Sequence, residues 1–268
     1  MYRIYGADLK KLTSLGIGGR IETLTVAEKP EEAEPAYTVV GRGTNVLASD
    51  AGLKTALMPA VRGIKLTGDG LYAGSGEPIA SVAAFAAGLG LTGLEWASGI
   101  PGSVGGAVKG NAGAFGVSTG ESIVYCQVND GRLKRLEPSQ CGFGERSSAI
   151  AGVVTGACFR VKTGDREGIY ATVGKYSAFR RATQPRGMTA GSTFKAADRP
   201  AGWYLDRAGL KGAKVGGASV SELHANFIIN DGTASSDDAV SLIRLMKARV
   251  YDAFGVELEE EIVYIGEF

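Results

Sequence analysis

Between Gly88 and Gly116 the chain reads GLGLTGLEWASGIPGSVGGAVKGNAGAFG, with glycine at 88, 90, 93, 99, 102, 105, 106, 110, 113 and 116. Such a density of residues without a Cβ costs too much unfolded-chain entropy to be idle inside an ordered domain. Leu89, Leu91, Leu94, Trp96, Ile100, Val104 and Val108 run between the glycines, so the segment is not a solvated linker. A backbone that bends repeatedly, stays buried and lays its N–H groups against something planar or anionic fits this pattern. A bound nucleotide cofactor is the natural candidate, and a close-packed β region without ligand is the alternative.

The rest of the chain frames that segment as a mixed α/β protein. Its 268 residues suffice for one large domain or two to three small ones, and 44% hydrophobic against 21% charged residues gives material for a real core. Ile21–Val26 alternates as a half-buried strand, and Tyr37–Val40 forms another that runs into Gly41-Arg42-Gly43-Thr44-Asn45. This resembles a dinucleotide-fold start, but position 46 is Val and no helix-length pattern follows, which excludes that fold. Leu71–Ala73, Ser122–Val128, Arg132–Leu136 and Val153–Val161 read as strands, with Asn129-Asp130-Gly131 as a hairpin turn. Pro78–Ala87 is an Ala-rich helix, and 174–181 is a weaker basic one. Ser235 to Phe254 is the clearest helix: a serine cap, Asp237 and Asp238 at its positive end, a stripe of Ala239, Leu242, Ile243, Met246 and Val250, and Gly255 to end it.

Composition excludes several classes. A net charge of +1 offers no basic excess for nucleic acid or an anionic membrane. Three cysteines without metal spacing point to a reducing compartment, and the absence of a signal-like start leads us to expect a cytoplasmic protein. The single histidine, His224, makes a histidine metal site improbable, so no metal is expected. Covalent histidyl attachment of a cofactor would need that same residue.

Four stretches together resemble the FAD-dependent UDP-N-acetylenolpyruvoylglucosamine reductases of peptidoglycan synthesis, in the shorter branch of that family. They are LGIGG with GRGTNVLASD, then GLEWASGIPGSVGGAVKGNAGAFG, then QPRGMTAGSTFK with GLKGAKVGGASVSELHANFIIN, and last FGVELEEEIVYIG. The resemblance spans nearly the full length in the family's order. It implies an FAD-binding region of two subdomains, of the vanillyl-alcohol-oxidase (PCMH) type, at 1–60 and 61–165, and a C-terminal α/β substrate lobe at 166–268. The last strand, about 256–268, would pack back on the FAD region. It implies non-covalent FAD, NADPH as co-substrate and a small UDP-sugar substrate, with no obligatory protein partner. In the family's chemistry NADPH reduces the flavin, hydride passes from N5 to C3 of the enol ether, and a serine protonates C2.

Residue roles follow the same resemblance. Ser192 falls at the proton donor of AGS-x-FK, with Thr193 as the neighbouring hydroxyl and the fallback donor. Arg146 falls at the arginine of Y-R-x-S, where Glu145 replaces the tyrosine, and a guanidinium suits a carboxylate and a developing enolate. Glu261 falls at the glutamate of the family's terminal motif. Strand alternation cannot choose between Glu260 and Glu261, and the resemblance alone selects Glu261. For the flavin the matches are Gly43, Thr44, Asn45 and Val46, then Gly99, Ile100, Pro101, Gly102, Ser103, Gly106, Asn111, Ala112 and Gly113. Substrate contacts are expected from Arg181, Lys195, Lys211 and Asn226. Lys195 is followed by Ala196-Ala197, where the family commonly has Asn-Pro. Another FAD-linked hydroxy-acid or sugar oxidoreductase on the same scaffold is the competing reading, and a non-enzymatic nucleotide-binding protein is a third.

Overall fold

The structure, a computed structural model, describes residues 1–35 and 37–268. Packing groups the chain into two units: Met1–Ile4, Leu24–Arg42 and Thr55–Ala182 in the first, Tyr5–Thr23, Gly43–Lys54 and Thr183–Phe268 in the second. The chain passes between them inside the strands Tyr2–Asp8, Arg20–Ala27 and Leu53–Pro59. The grouping is discontinuous, unlike the consecutive segments 1–60, 61–165 and 166–268, and it assigns the start of the third segment, through Ala182, to the first unit.

The first unit is built on a five-stranded sheet in the order Leu133–Leu136, Ile123–Asn129, Val153–Phe159, Leu71–Gly74, Ile64–Leu66, antiparallel throughout. The Asn129-Asp130-Gly131 turn joins the first two, as its composition predicts. Leu71, Ala73, Ile123, Cys126, Val128, Ala157 and Phe159 form one core with Ile79, Val82, Ala83 and Ala86 of the helix Ile79–Gly88. Pro78 caps that helix, where its missing N–H costs nothing.

The glycine stretch departs from a simple series of bends. Val104–Lys109 is a short helix, with Ser103 Oγ accepting from the Gly106 N–H at its start. Glycine at 105 is what permits it. A Cβ there would stand 3.0 Å from Ser75 Cβ and 3.4 Å from the carbonyl oxygens of Ser75 and Val154, so the helix backbone lies directly on the sheet. The stretch is also less buried than its composition suggests. Leu94, Trp96, Ala97, Val104 and Val108 anchor it in the core, while Gly99, Pro101, Gly106 and Gly116 are exposed. Apolar side chains tie the segment down and leave its turns open.

A helix spans Arg166–Thr183, longer than the sequence pattern indicates, with Ile169 its one buried residue. Glycines at 168 and 174 dilute its periodicity. It is docked by particular contacts: Phe115 stacks on Tyr176 at 3.8 Å, and Arg180 Nε donates to the Gly99 carbonyl at 3.1 Å.

In the second unit the helix Ser236–Phe254 has the caps the sequence predicts. Ser235 Oγ accepts from the Asp238 N–H (3.1 Å) while Asp238 Oδ2 accepts from the Ser235 N–H (3.0 Å), and Gly255 ends the helix at φ 68°. Ala239, Leu242, Ile243, Met246 and Val250 are all buried, in one core with Leu15, Ile17, Leu47, Phe194, Leu205, Leu258 and Ile262. A meander of Lys214–Val215, Ala218–Val220 and Ile228–Asn230 lies in the same unit. Near the terminus only Val263–Ile265 is a strand, paired in parallel with Val46–Ala48.

Candidate active site

In the second unit the loop carrying Ser192 is held from two sides. On one side Ser192 bridges to Phe227, and the Thr193 N–H donates to the Asn226 carbonyl at 2.8 Å. The Asn226 amide closes a ring with the next residue: its Oδ1 accepts from the Phe194 N–H (3.0 Å) and its Nδ2 donates to the Phe194 carbonyl (2.9 Å). On the other side the Glu261 N–H donates to the Thr193 carbonyl at 2.8 Å, and the Lys195 N–H to the Glu259 carbonyl at 2.9 Å. Asn45 completes the arrangement, its Nδ2 donating to the Glu261 carbonyl at 3.0 Å. Three residues singled out from distant parts of the sequence, Asn45, Ser192 and Glu261, therefore converge on one small backbone framework.

Alternation along this loop separates its two hydroxyls. Ser192 is half-buried, whereas Thr193 is buried and lines a small apolar cavity with Leu15, Leu47, Ile228, Ile243 and Ile262. Thr193 is thus on the core side and poorly placed to substitute for Ser192. The adjacent acids also differ in their partners. Lys247 Nζ binds both Glu260 oxygens (3.0 and 3.1 Å), and Lys195 pairs with Glu259. Lys211 pairs with Asp206 at 3.0 Å.

Gly43 has a packing reason for its identity. Its φ is 59°, and a Cβ would fall 2.2 Å from the Leu12 carbonyl oxygen. Thr44, Asn45 and Val46 follow it into the parallel strand pair and are half-buried.

In the first unit the glycine stretch interlocks with the turn that carries Arg146. Asn111 Nδ2 donates to the Gly144 carbonyl (2.8 Å), its Oδ1 accepts from the Gly120 N–H (2.9 Å), and Arg146 Nη1 donates to the Gly113 carbonyl (3.1 Å). Among the described residues the non-glycines at positive φ are Asn111 (44°), Phe115 (55°) and Arg146 (50°), all within this assembly. Backbone strain concentrated in this way is a mark of functional segments. Ile100, Gly102, Ala112 and Gly113 are half-buried along the same stretch, and Ser103 is buried as the helix cap.

Two neighbouring arginines divide sharply. Arg181 is exposed, while Arg180 is the one that meets Gly99, and burial pulls its guanidinium below the usual arginine value. Sequence reasoning chose Arg181. A helix register anchored on the buried Ile169 does not distinguish two adjacent arginines, so nothing local in the sequence marks Arg180 as the one held against Gly99.

Whether such a unit suits a flavin can be tested on its own atoms. Among the described residues Ser75 Oγ, Trp96 Nε1 and, in the hairpin, Asp130 Oδ1 are buried without a hydrogen-bond partner. Trp96 belongs to the glycine stretch, and Ser75 packs against Gly105 within it. Orphaned polar atoms beside exposed, glycine-rich backbone fit a cofactor with many polar groups.

Residues 21–136 match the family model of an FAD binding domain, and residues 184–265 that of the C-terminal domain of UDP-N-acetylenolpyruvoylglucosamine reductase. The chain is thus a flavoprotein of the FAD-dependent oxidoreductase class. It is 37% identical to a UDP-N-acetylenolpyruvoylglucosamine reductase of Rubrobacter xylanophilus over 98% of this chain and 95% of that one. A Trichormus variabilis protein of the same name is 39% identical over 98% and 86%. The crystal structure of the Thermus caldophilus reductase superposes with a TM-score of 0.86 at 34% identity, covering 98% of each chain. The chain belongs to the UDP-N-acetylenolpyruvoylglucosamine reductase family.

Proposed function

We propose that this protein reduces the enolpyruvyl ether of UDP-N-acetylglucosamine to UDP-N-acetylmuramate at the expense of NADPH. FAD, when bound, supplies the two-electron relay between NADPH and the enol ether. The observation that carries the reading is the backbone framework uniting Ser192 with Glu261, in a chain that shares its family's length and order.

Each residue then has a task. Ser192 delivers the proton to C2, and its half-buried hydroxyl is presented by a loop fixed on both flanks. Arg146 holds the substrate carboxylate and the negative charge that develops beside it, which a planar guanidinium does through paired N–H groups. Glu261 shares the Ser192 framework through its backbone N–H, and the family resemblance makes it the functional acid of the pair. Asn226 we place as the clamp of the serine loop, since both its amide atoms bind the Phe194 backbone. Lys195, Lys211 and Arg181 are the proposed substrate cations. The exposed turns between Gly99 and Gly113 and the segment Gly43–Val46 are the proposed flavin contacts, within the functional segments 1–60, 61–165 and 166–268.

Steady-state turnover tests the proposal. NADPH consumption should require the enolpyruvyl nucleotide and yield the saturated nucleotide one for one. Turnover with hydroxy acids or sugars in its place, and none with the nucleotide, would overturn it.

A further inference from the structure

The serine loop is held by a turn whose closing contact is made to an imidazole nitrogen. In the segment Ser221–Phe227, Ser221 Oγ accepts from the N–H groups of Leu223 (3.2 Å) and His224 (3.3 Å). His224 Nδ1 accepts from the Asn226 N–H at 3.2 Å, and the His224 carbonyl accepts from the Phe227 N–H at 3.0 Å. Asn226 binds Thr193 and Phe194, and Phe227 bridges to Ser192. The hydrogen bonds from the imidazole therefore run through Asn226 to Thr193 and Phe194, the residues that follow Ser192 in its loop, within one unit.

A backbone N–H can only donate, so Nδ1 must hold a free lone pair and the ring must be neutral, with its proton on Nε2. The surroundings favour that form. The half-buried ring packs edge-on against Phe227, 4.9 Å between centroids, and its Cε1 lies 2.9 Å from where a Cβ on Gly202 would stand. The charged groups facing it are Lys211 and Asp206, paired with each other at 3.0 Å, while Glu222 of its own turn is exposed. Burial pushes the imidazole below the usual histidine value; a hydrogen bond to its own backbone opposes that push, the Lys211 cation adds to it, and Asp206 opposes it.

We propose that His224 is a positioning residue for the proton-transfer half of the reaction: neutral, it holds Asn226 and through it the Ser192 loop, and protonation releases them. The proposal rests on Ser192 being the proton donor. The sign follows from the contact. Protonation sets two N–H groups against each other at Nδ1, so product formation should hold at about pH 6.5, the ordinary histidine value, and fall as pH drops through the lowered value of the folded protein.

The test is single-turnover product formation, by rapid quench of NADPH-reduced holoenzyme with the enolpyruvyl nucleotide, from about pH 5 to 8. Flavin reduction by NADPH is followed over the same range. His224→Asn places an amide oxygen where Nδ1 stands, accepting from the N–H two residues on, and cannot take up a proton there. His224→Phe keeps a ring and removes the acceptor. The acid limb of product formation should be present in the wild type and flattened in His224→Asn. His224→Phe should lose up to about 10²-fold in product formation at every pH, with His224→Asn restoring most of it on the alkaline side. Flavin reduction should stay unchanged in both. An acid limb that persists in His224→Asn, or wild-type product formation in His224→Phe, would overturn the inference. If His224→Phe does not retain FAD, the His224→Asn profile decides alone. Ser192→Ala, run in parallel, separates the two levels: if it forms product normally the reading of Ser192 fails, and if it alone is slow only the role of His224 does.

Discussion

Replacing Asn226 by Ala should damage stability and chemistry together. Asn226 is 6% exposed and Phe194 1%, so the Phe194 N–H and carbonyl would both lose their partners away from water. A buried polar backbone group left unsatisfied costs about 1–3 kcal/mol, which puts the pair at about 2–6 kcal/mol. For a chain of this size each kcal/mol shifts Tm by about 2–4 °C, so a fall of about 4–24 °C is expected by calorimetry with saturating FAD. Asn226→Asp keeps an acceptor for the Phe194 N–H and loses the donor to its carbonyl, so it should restore only part of the loss. Product formation should fall as well, because Ser192 rides on the same loop, while flavin reduction by NADPH is retained. The reasoning is refuted if Asn226→Ala melts within about 0.5 kcal/mol of the wild type, the range of an ordinary surface substitution.

Other expectations follow from the two cores and the glycine stretch. Gly102 has φ 118°, so Gly102→Val strains the backbone and crowds an open turn; the purified variant should lose FAD, read from its visible absorbance, before it loses far-UV signal. Leu242 is fully buried on the long helix, and Leu242→Ala should cost about 2–5 kcal/mol in denaturant unfolding, with no change in which substrate is used.

What the sequence made legible was local. The helix ending at Phe254 carries its whole explanation in its own residues: a reciprocal cap, a stripe and a terminating glycine. The short helix Val104–Lys109 does not. Val-Gly-Gly-Ala-Val-Lys has poor helix propensity, and the conformation is imposed by the sheet on which Gly105 rests. The strand Tyr2–Asp8 escaped notice because most of its residues are exposed and no alternation marks it. At the site, the family resemblance selects Ser192, Arg146 and Glu261, and the contacts that support their segments are non-local. Nothing in HANF announces that Asn226 spends its amide on Phe194, or that the imidazole two residues earlier holds Asn226 in turn. The choice between Glu260 and Glu261 was likewise invisible to strand periodicity. Lys247, 13 residues earlier, pairs with Glu260, a contact that no local pattern marks.

The central claim, that Ser192 delivers the proton which completes the reduction, is tested most directly by separating the half-reactions in Ser192→Ala. Anaerobic NADPH should bleach the yellow protein at the wild-type rate. Rapid quench after adding the enolpyruvyl nucleotide should then show product forming about 10²–10⁴-fold more slowly, the usual worth of a positioned general acid. Wild-type product formation in that variant would contradict the account.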